Sequence, residues 1–75
     1  MARKARNKLR RLRKEMPPGT RVRSLYRAPW TGVILRHEGE RCAVVRVTHD
    51  RNGRALRKPH EATLGLAWLR PIDET

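Results

Sequence analysis

The sequence predicts an all-β fold, a small five-stranded antiparallel barrel preceded by a basic N-terminal arm that is disordered or conditionally helical. Two observations predict the strands: β-branched and aromatic residues cluster in short runs, and Pro, Gly and charged turn residues separate the runs. A third observation predicts the arm: residues 1–18 carry eight Lys and Arg and one acid, and Leu9, Leu12 and Met16 recur at helical spacing. We therefore divide the chain into an arm, residues 1–18, and a barrel, residues 19–75.

The arm is expected to bind phosphates. Three apolar residues on a narrow stripe do not repay the ordering entropy of so charged a segment, so its helix is expected to form on a phosphate backbone. Pro17 and Pro18 end that helix, because each lacks a backbone N–H. The basic side chains assigned to this contact are Arg3, Lys4, Arg6, Lys8, Arg10, Arg11, Arg13 and Lys14. The alternative is a solubilising tail with no specific partner.

Two strands are predicted before residue 36. The first covers residues 20–26 and alternates, with Val22 and Ser24 on one face and Arg21 and Arg23 on the other. A loop proline then breaks the strand, and the second strand covers residues 30–35, with a bulge or bend expected at its glycine.

A turn at residues 37–40 leads into the third and most apolar strand, residues 41–48, whose Ala43, Val45 and Val47 are expected in the core. The following Asp-Arg-Asn-Gly predicts a type I′ hairpin, because Asn-Gly supplies two positive φ angles. A short fourth strand is expected to end near Arg57, before Lys58-Pro59.

The C-terminal segment is too apolar for a loop and too short for a packed helix. It predicts an extended stretch from residue 62, a single helical turn near residues 67–69 and a closing strand at residues 70–72. Trp68 is assigned to the core, because Leu66 and Leu69 flank it.

The bulk composition indicates a polyanionic partner. The chain has 75 residues, too few for more than one domain, and a net charge of +12. A single cysteine, Cys42, cannot form an intramolecular disulfide, so a reducing compartment is expected. No apolar run is long enough to span a bilayer, and a secretory signal is not expected. We expect a cytoplasmic protein, with a nucleoid or an organelle matrix as alternatives.

Five short strands, tight middle hairpins and a helical turn before the last strand resemble an SH3-like barrel, as found in KOW-type and Tudor-like domains. A local resemblance to plasmid-borne type II dihydrofolate reductases is carried by Gly19, Arg21, Val22 and Arg23, by Ala28, Trp30 and Gly32, by Ala43 and Val44, and by Leu69. That family builds its folate pore from a Val-Gln-Ile-Tyr run, which is Glu-Ala-Thr-Leu at residues 61–64 here. Its active-site lysine corresponds to Ser24. The resemblance therefore implies the fold without the reductase activity.

The sequence gives no indication of an enzyme, a cofactor or a small-molecule substrate. Cys42 has no His or Asp at a catalytic spacing, and it is interpreted as a half-buried strand residue. His37, His49 and His60 match no zinc pattern.

Two basic groups on the barrel are candidate nucleic-acid contacts. The first combines arginines with an aromatic ring, as RNA and single-strand binders do, and contains Arg21, Arg23, Arg27, Trp30 and Arg36. The alternative is a core Trp30 and a merely solvated arginine face. The second group lines the hairpin after the third strand and contains Arg51, Arg54, Arg57 and Lys58.

We therefore expect a non-catalytic nucleic-acid-binding protein, with RNA or a ribonucleoprotein favoured over DNA. The alternative is an adaptor that docks on a larger protein assembly, such as a transcription or translation complex. Reductase activity is the least favoured function. Membrane binding is not expected.

Overall fold

The computed structural model describes residues 2–25 and 29–72, with side chains from residue 8 onward. Its elements are α1 (Ala2–Glu15), β1 (Arg21–Ser24), β2 (Thr31–Glu38), β3 (Cys42–His49), β4 (Ala55–Gly65), a 3₁₀ turn (Leu66–Trp68) and β5 (Leu69–Pro71). The described strands form one antiparallel sheet in the order β4-β3-β2-β1-β5. The predicted all-β class with five strands is confirmed, and the SH3-like barrel stays a prediction.

The β2 strand is longer than predicted. His37 and Glu38, assigned to a turn from the sequence, pair with Ala43 and Cys42 of β3. The predicted irregularity at Gly32 is confirmed by a register shift between Thr31 and Gly32. A Cβ at this glycine would lie 2.5 Å from the carbonyl oxygen of Arg46, so the close approach of β2 to β3 requires glycine here.

The prediction that the fourth strand ends before Lys58-Pro59 is wrong. Strand β4 runs through the proline from Ala55 to Gly65. It lies at the edge of the sheet, and residues 56–59 lie opposite the single residue Thr48, in a large bulge. Proline is tolerated at edges and bulges, because its missing N–H removes no ladder hydrogen bond there.

The β3–β4 turn differs from the predicted type I′ hairpin. The Gly53 N–H donates to the Asp50 carbonyl at 3.0 Å, and the Asp50 N–H donates to the Arg54 carbonyl at 2.9 Å. The central turn residues are therefore Arg51 and Asn52, and Gly53 follows them with a φ of 80°. This is a three-residue loop with a glycine bulge, so Asn-Gly sits one position later in the turn than predicted.

The core contains the residues predicted for β3, with Ala43 and Val45 inaccessible and Val47 nearly so. The assignment of Trp68 to the core is wrong, because half of its surface is exposed. A 3₁₀ helix has three residues per turn, so Leu66 and Leu69 lie on the same side and both are buried. Trp68 lies between these positions and points away from the core.

The basic arm is helical and its end is part of the core. Met16 follows α1 directly, is 0 % exposed and belongs to the same buried cluster as Leu66 and Leu69, with Leu12 packed against it. A hydrogen bond from the His37 side chain holds the C-terminal end of α1 against β2, since Nε2 lies 2.7 Å from the Met16 carbonyl oxygen. The hydrophobic core therefore begins before the boundary drawn at residue 19.

Candidate nucleic-acid interface

Arginines lie opposite one another on the outer surface of β1 and β5. Val22 and Ser24 are buried, so the alternation of β1 turns Arg21 and Arg23 outward, and both are exposed as predicted. Arg70 of β5 is the direct cross-strand partner of Arg23 and is exposed as well. Directly opposed side chains have Cβ atoms roughly 4.5–5.5 Å apart, so two guanidinium groups leave the sheet side by side.

The same surface continues across β2 and β3. Arg21 pairs with Val33, and Val33 pairs with Arg46 of β3, which is exposed. Arg36 pairs with Val44, two residues from Arg46, and therefore projects from the same side. We call these five residues the arginine face: Arg21, Arg23, Arg36, Arg46 and Arg70.

Glu61 of β4 offsets part of this charge. It pairs with Arg46 in the β3–β4 register, and its Oε1 lies 3.8 Å from Nη1 of Arg36. Both side chains of the ion pair are more than half exposed, so the pair adds little to stability. The arginine face retains a net positive charge.

The structure brings three of the predicted barrel residues onto this face, Arg21, Arg23 and Arg36. Trp30 is placed elsewhere: it is half-buried, packs against the core and lies beside the β3–β4 hairpin. Arg27 lies outside the described residues. The sequence analysis missed Arg46, which the alternation of β3 indicates, and Arg70, which only the β1–β5 register reveals.

The second predicted group lies on the hairpin. Arg51 is in the three-residue loop, Arg54 follows the loop, and Arg57 and Lys58 are in the bulge of β4. All four side chains are exposed, as contacts with a ligand require.

Helix α1 supplies a third basic surface. Its exposed basic side chains are Lys8, Arg10, Arg11, Arg13 and Lys14. Arg10 and Arg13 line a groove of about 250 Å³, and Glu40 of the β2–β3 turn lines it as well. The backbones of Arg3, Lys4 and Arg6 lie in the helix, and their side chains are outside the described set.

The remaining candidate chemistry is sparse. The described side chains contain no group of His, Cys, Asp and Glu arranged to hold a metal ion. Cys42 is a half-buried free thiol, as predicted. Ser24, at the position of the reductase lysine, is fully buried and presents nothing to a ligand. No helix in the described ranges could cross a membrane.

Comparisons of the chain with protein families, with curated proteins and with solved structures gave no match.

Proposed function

We propose that this protein binds RNA, with the arginine face and helix α1 contacting phosphates. The observation that carries the proposal is the pairing of Arg23 with Arg70 on adjacent strands. Like charges directly opposite each other destabilise a sheet, so this pair lowers the stability of the free protein. An anion held between the two guanidinium groups would convert the repulsion into charge-assisted hydrogen bonds.

The surrounding charges support a polyanion rather than a single small anion. Arg21 and Arg46 continue the basic surface across the sheet, and α1 adds the exposed cations of the arm. Several separated cationic groups match a chain of regularly spaced phosphates, and such contacts are largely independent of sequence. RNA is favoured over DNA by analogy with small basic barrels that associate with RNA, and a cytoplasmic location fits the free thiol of Cys42.

The test is binding of the full chain and of the double variant R23Q/R70Q to single-stranded RNA, duplex RNA and duplex DNA across a salt series. Each phosphate contact to a single strand contributes about 0.7 to the slope of log affinity against log salt, so the double variant should lose about 1.4. The matched control is Arg41→Gln, which removes an exposed cation from the β2–β3 turn, outside the arginine face. It should leave the slope unchanged.

The same double variant should lose RNA affinity but gain folding stability. Without RNA and at low salt, R23Q/R70Q removes the repulsion and should resist urea better than the wild type. A wild-type chain without salt-dependent RNA affinity would refute the proposal. If the double variant has the wild-type salt slope, the arginine face does not contact the RNA. If the wild type binds duplex DNA more tightly than RNA, the ligand is DNA.

A second candidate function is docking on a protein. Leu25 and Trp68 are large apolar residues with 44 % and 50 % of their surface exposed. They are neighbours, because the Leu25 N–H donates to the Trp68 carbonyl oxygen at 2.7 Å. Aromatic and aliphatic side chains together are typical of interface centres. If Trp68→Ala abolishes partner capture and leaves RNA affinity unchanged, the two functions reside on separate surfaces.

A further inference from the structure

A pocket lies beside the β3–β4 hairpin, outside the arginine face and helix α1, and it shares Arg51 with the second basic group. It has a volume of about 340 Å³, at the small end of the range for ligand sites. Its apolar walls are Trp30, Val47 and Leu56, and two imidazoles, His49 and His60, also line it. We call it the hairpin pocket.

Two walls of the hairpin pocket are held in place before any ligand arrives. Trp30 packs against the hydrophobic core, which fixes its ring, while part of its surface stays accessible. Thr48 Oγ1 lies 2.8 Å from Nδ1 of His49 and donates to the Thr31 carbonyl at 3.3 Å. The contact between the two side chains sets the orientation of the His49 ring.

Charged and polar side chains form the rim of the pocket. Arg51 and Asn52 line it with exposed side chains. Asp50 is the acid at the rim, and its Oδ1 accepts hydrogen bonds from the Arg54 N–H at 3.0 Å and the Asn52 N–H at 2.8 Å. The Arg54 hydrogen bond contributes most to a lowered Asp50 pKa, with a smaller contribution from Asn52. The carboxylate is thus engaged by the turn. At the rim, Arg51 balances the charge of Asp50, and Arg54, whose backbone N–H contacts Asp50, adds an exposed cation beside the pocket.

We propose that the hairpin pocket takes one unpaired nucleobase of a bound single strand. Aromatic and aliphatic walls, with Arg51 at the rim and Arg54 beside it, match a nucleotide, which joins a flat aromatic ring to a negative phosphate. The exposed cations after the turn, Arg54 and Arg57, extend the basic surface for the neighbouring phosphates. The inference rests on the proposed RNA binding and adds a contact to bases, which the arginine face does not supply.

The experiment compares an RNA oligomer of about eight nucleotides with an abasic oligomer of equal phosphate number, using the full chain at fixed salt. Base stacking on an aromatic side chain is worth about 5-fold to about 150-fold in affinity, so the RNA should bind more tightly by a factor in this range. Trp30→Ala should remove the difference and leave abasic binding unchanged. Trp68→Ala is the matched control, because it deletes a tryptophan outside the pocket.

Two further measurements apply if Trp30→Ala fails to fold. His60→Ala changes an exposed lining residue and should weaken RNA binding several-fold without affecting the abasic oligomer. In a Trp68→Phe chain, Trp30 is the remaining tryptophan, and its fluorescence should be quenched by RNA and unaffected by the abasic oligomer.

The outcomes separate the two proposals. Equal affinity for both oligomers, with unchanged Trp30 emission, overturns the hairpin pocket as a base site and leaves phosphate binding intact. Loss of the difference in Trp68→Ala rather than in Trp30→Ala places the base elsewhere and also overturns the inference. Binding to neither oligomer refutes the proposed function itself.

Discussion

Met16→Ala should destabilise the whole protein, although the sequence predicts that this residue belongs to a basic arm separate from the barrel. The side chain is completely buried between α1 and the sheet, in one cluster with Leu66 and Leu69. Truncating a buried methionine to alanine costs about 2–5 kcal/mol. A 75-residue domain is typically stable by about 4–11 kcal/mol, so the variant loses a large share of the total.

Urea titration followed by circular dichroism measures this loss, and a melting temperature lowered by at least about 8 °C is expected in parallel. The control is Glu15→Ala, an exposed change one residue earlier that should stay within about 0.5 kcal/mol of the wild type. A Met16→Ala variant as stable as this control would show that the arm and the sheet are independent. A deletion of residues 1–18 is a poor test of RNA binding for the same reason, since it removes core and charge together.

Three further predictions concern single positions. Gly32→Ala should cost about 1–3 kcal/mol in urea titration, because its Cβ would overlap the β3 backbone; a neutral result would refute the close approach of β2 to β3. His37→Ala should cost about 0.5–1.5 kcal/mol by removing the hydrogen bond to Met16, and an unchanged stability would mean that the contact is not formed. The hydrogen bonds to Asp50, chiefly from the Arg54 N–H, lower its pKa from the ordinary 3.8, so its contribution to stability is present above that pH and is lost as the pH falls through the folded value. The stability gap between wild type and Asp50→Ala should therefore narrow below pH 4, and a constant gap would contradict the assignment.

The parts of the fold that depend on local pattern were predictable. The alternation Val45-Arg46-Val47 places the two valines inside and Arg46 outside, and the structure agrees, although Val44, on the same side as Arg46, is buried as well. The irregularity at Gly32 and the helical turn before the last strand were also predictable, because glycine and a short apolar segment have few local alternatives.

The parts that depend on tertiary context were not predictable. Pro59 ends a strand by local rules, and only its position in an edge bulge allows β4 to continue. Trp68 is apolar and flanked by leucines, yet the three-residue turn rotates it outward. Met16 lies in a highly charged segment, and nothing local indicates that the sheet supplies the apolar surface that covers it.

The candidate site also combines residues that local pattern predicts with residues that only tertiary contacts bring together. Arg21 and Arg23 follow from strand alternation, whereas the opposition of Arg23 and Arg70 requires a pairing between strands that are far apart in sequence. The hairpin pocket joins Trp30 to residues about twenty to thirty positions away. Such long-range convergence leaves no signal in a single sequence.

The two borders of the sheet limit how copies of this protein can meet. On one side the β4 ladder is interrupted by the bulge that contains Pro59. On the other, β5 has three residues and ends in Pro71, which has no N–H to offer. The bulge limits the regular part of the β4 border to residues 60–65, and the β5 border is shorter still, so growth by strand addition is disfavoured. Copies crowded along one polyanion would therefore stay separate molecules that can dissociate, rather than fuse into a continuous cross-β aggregate.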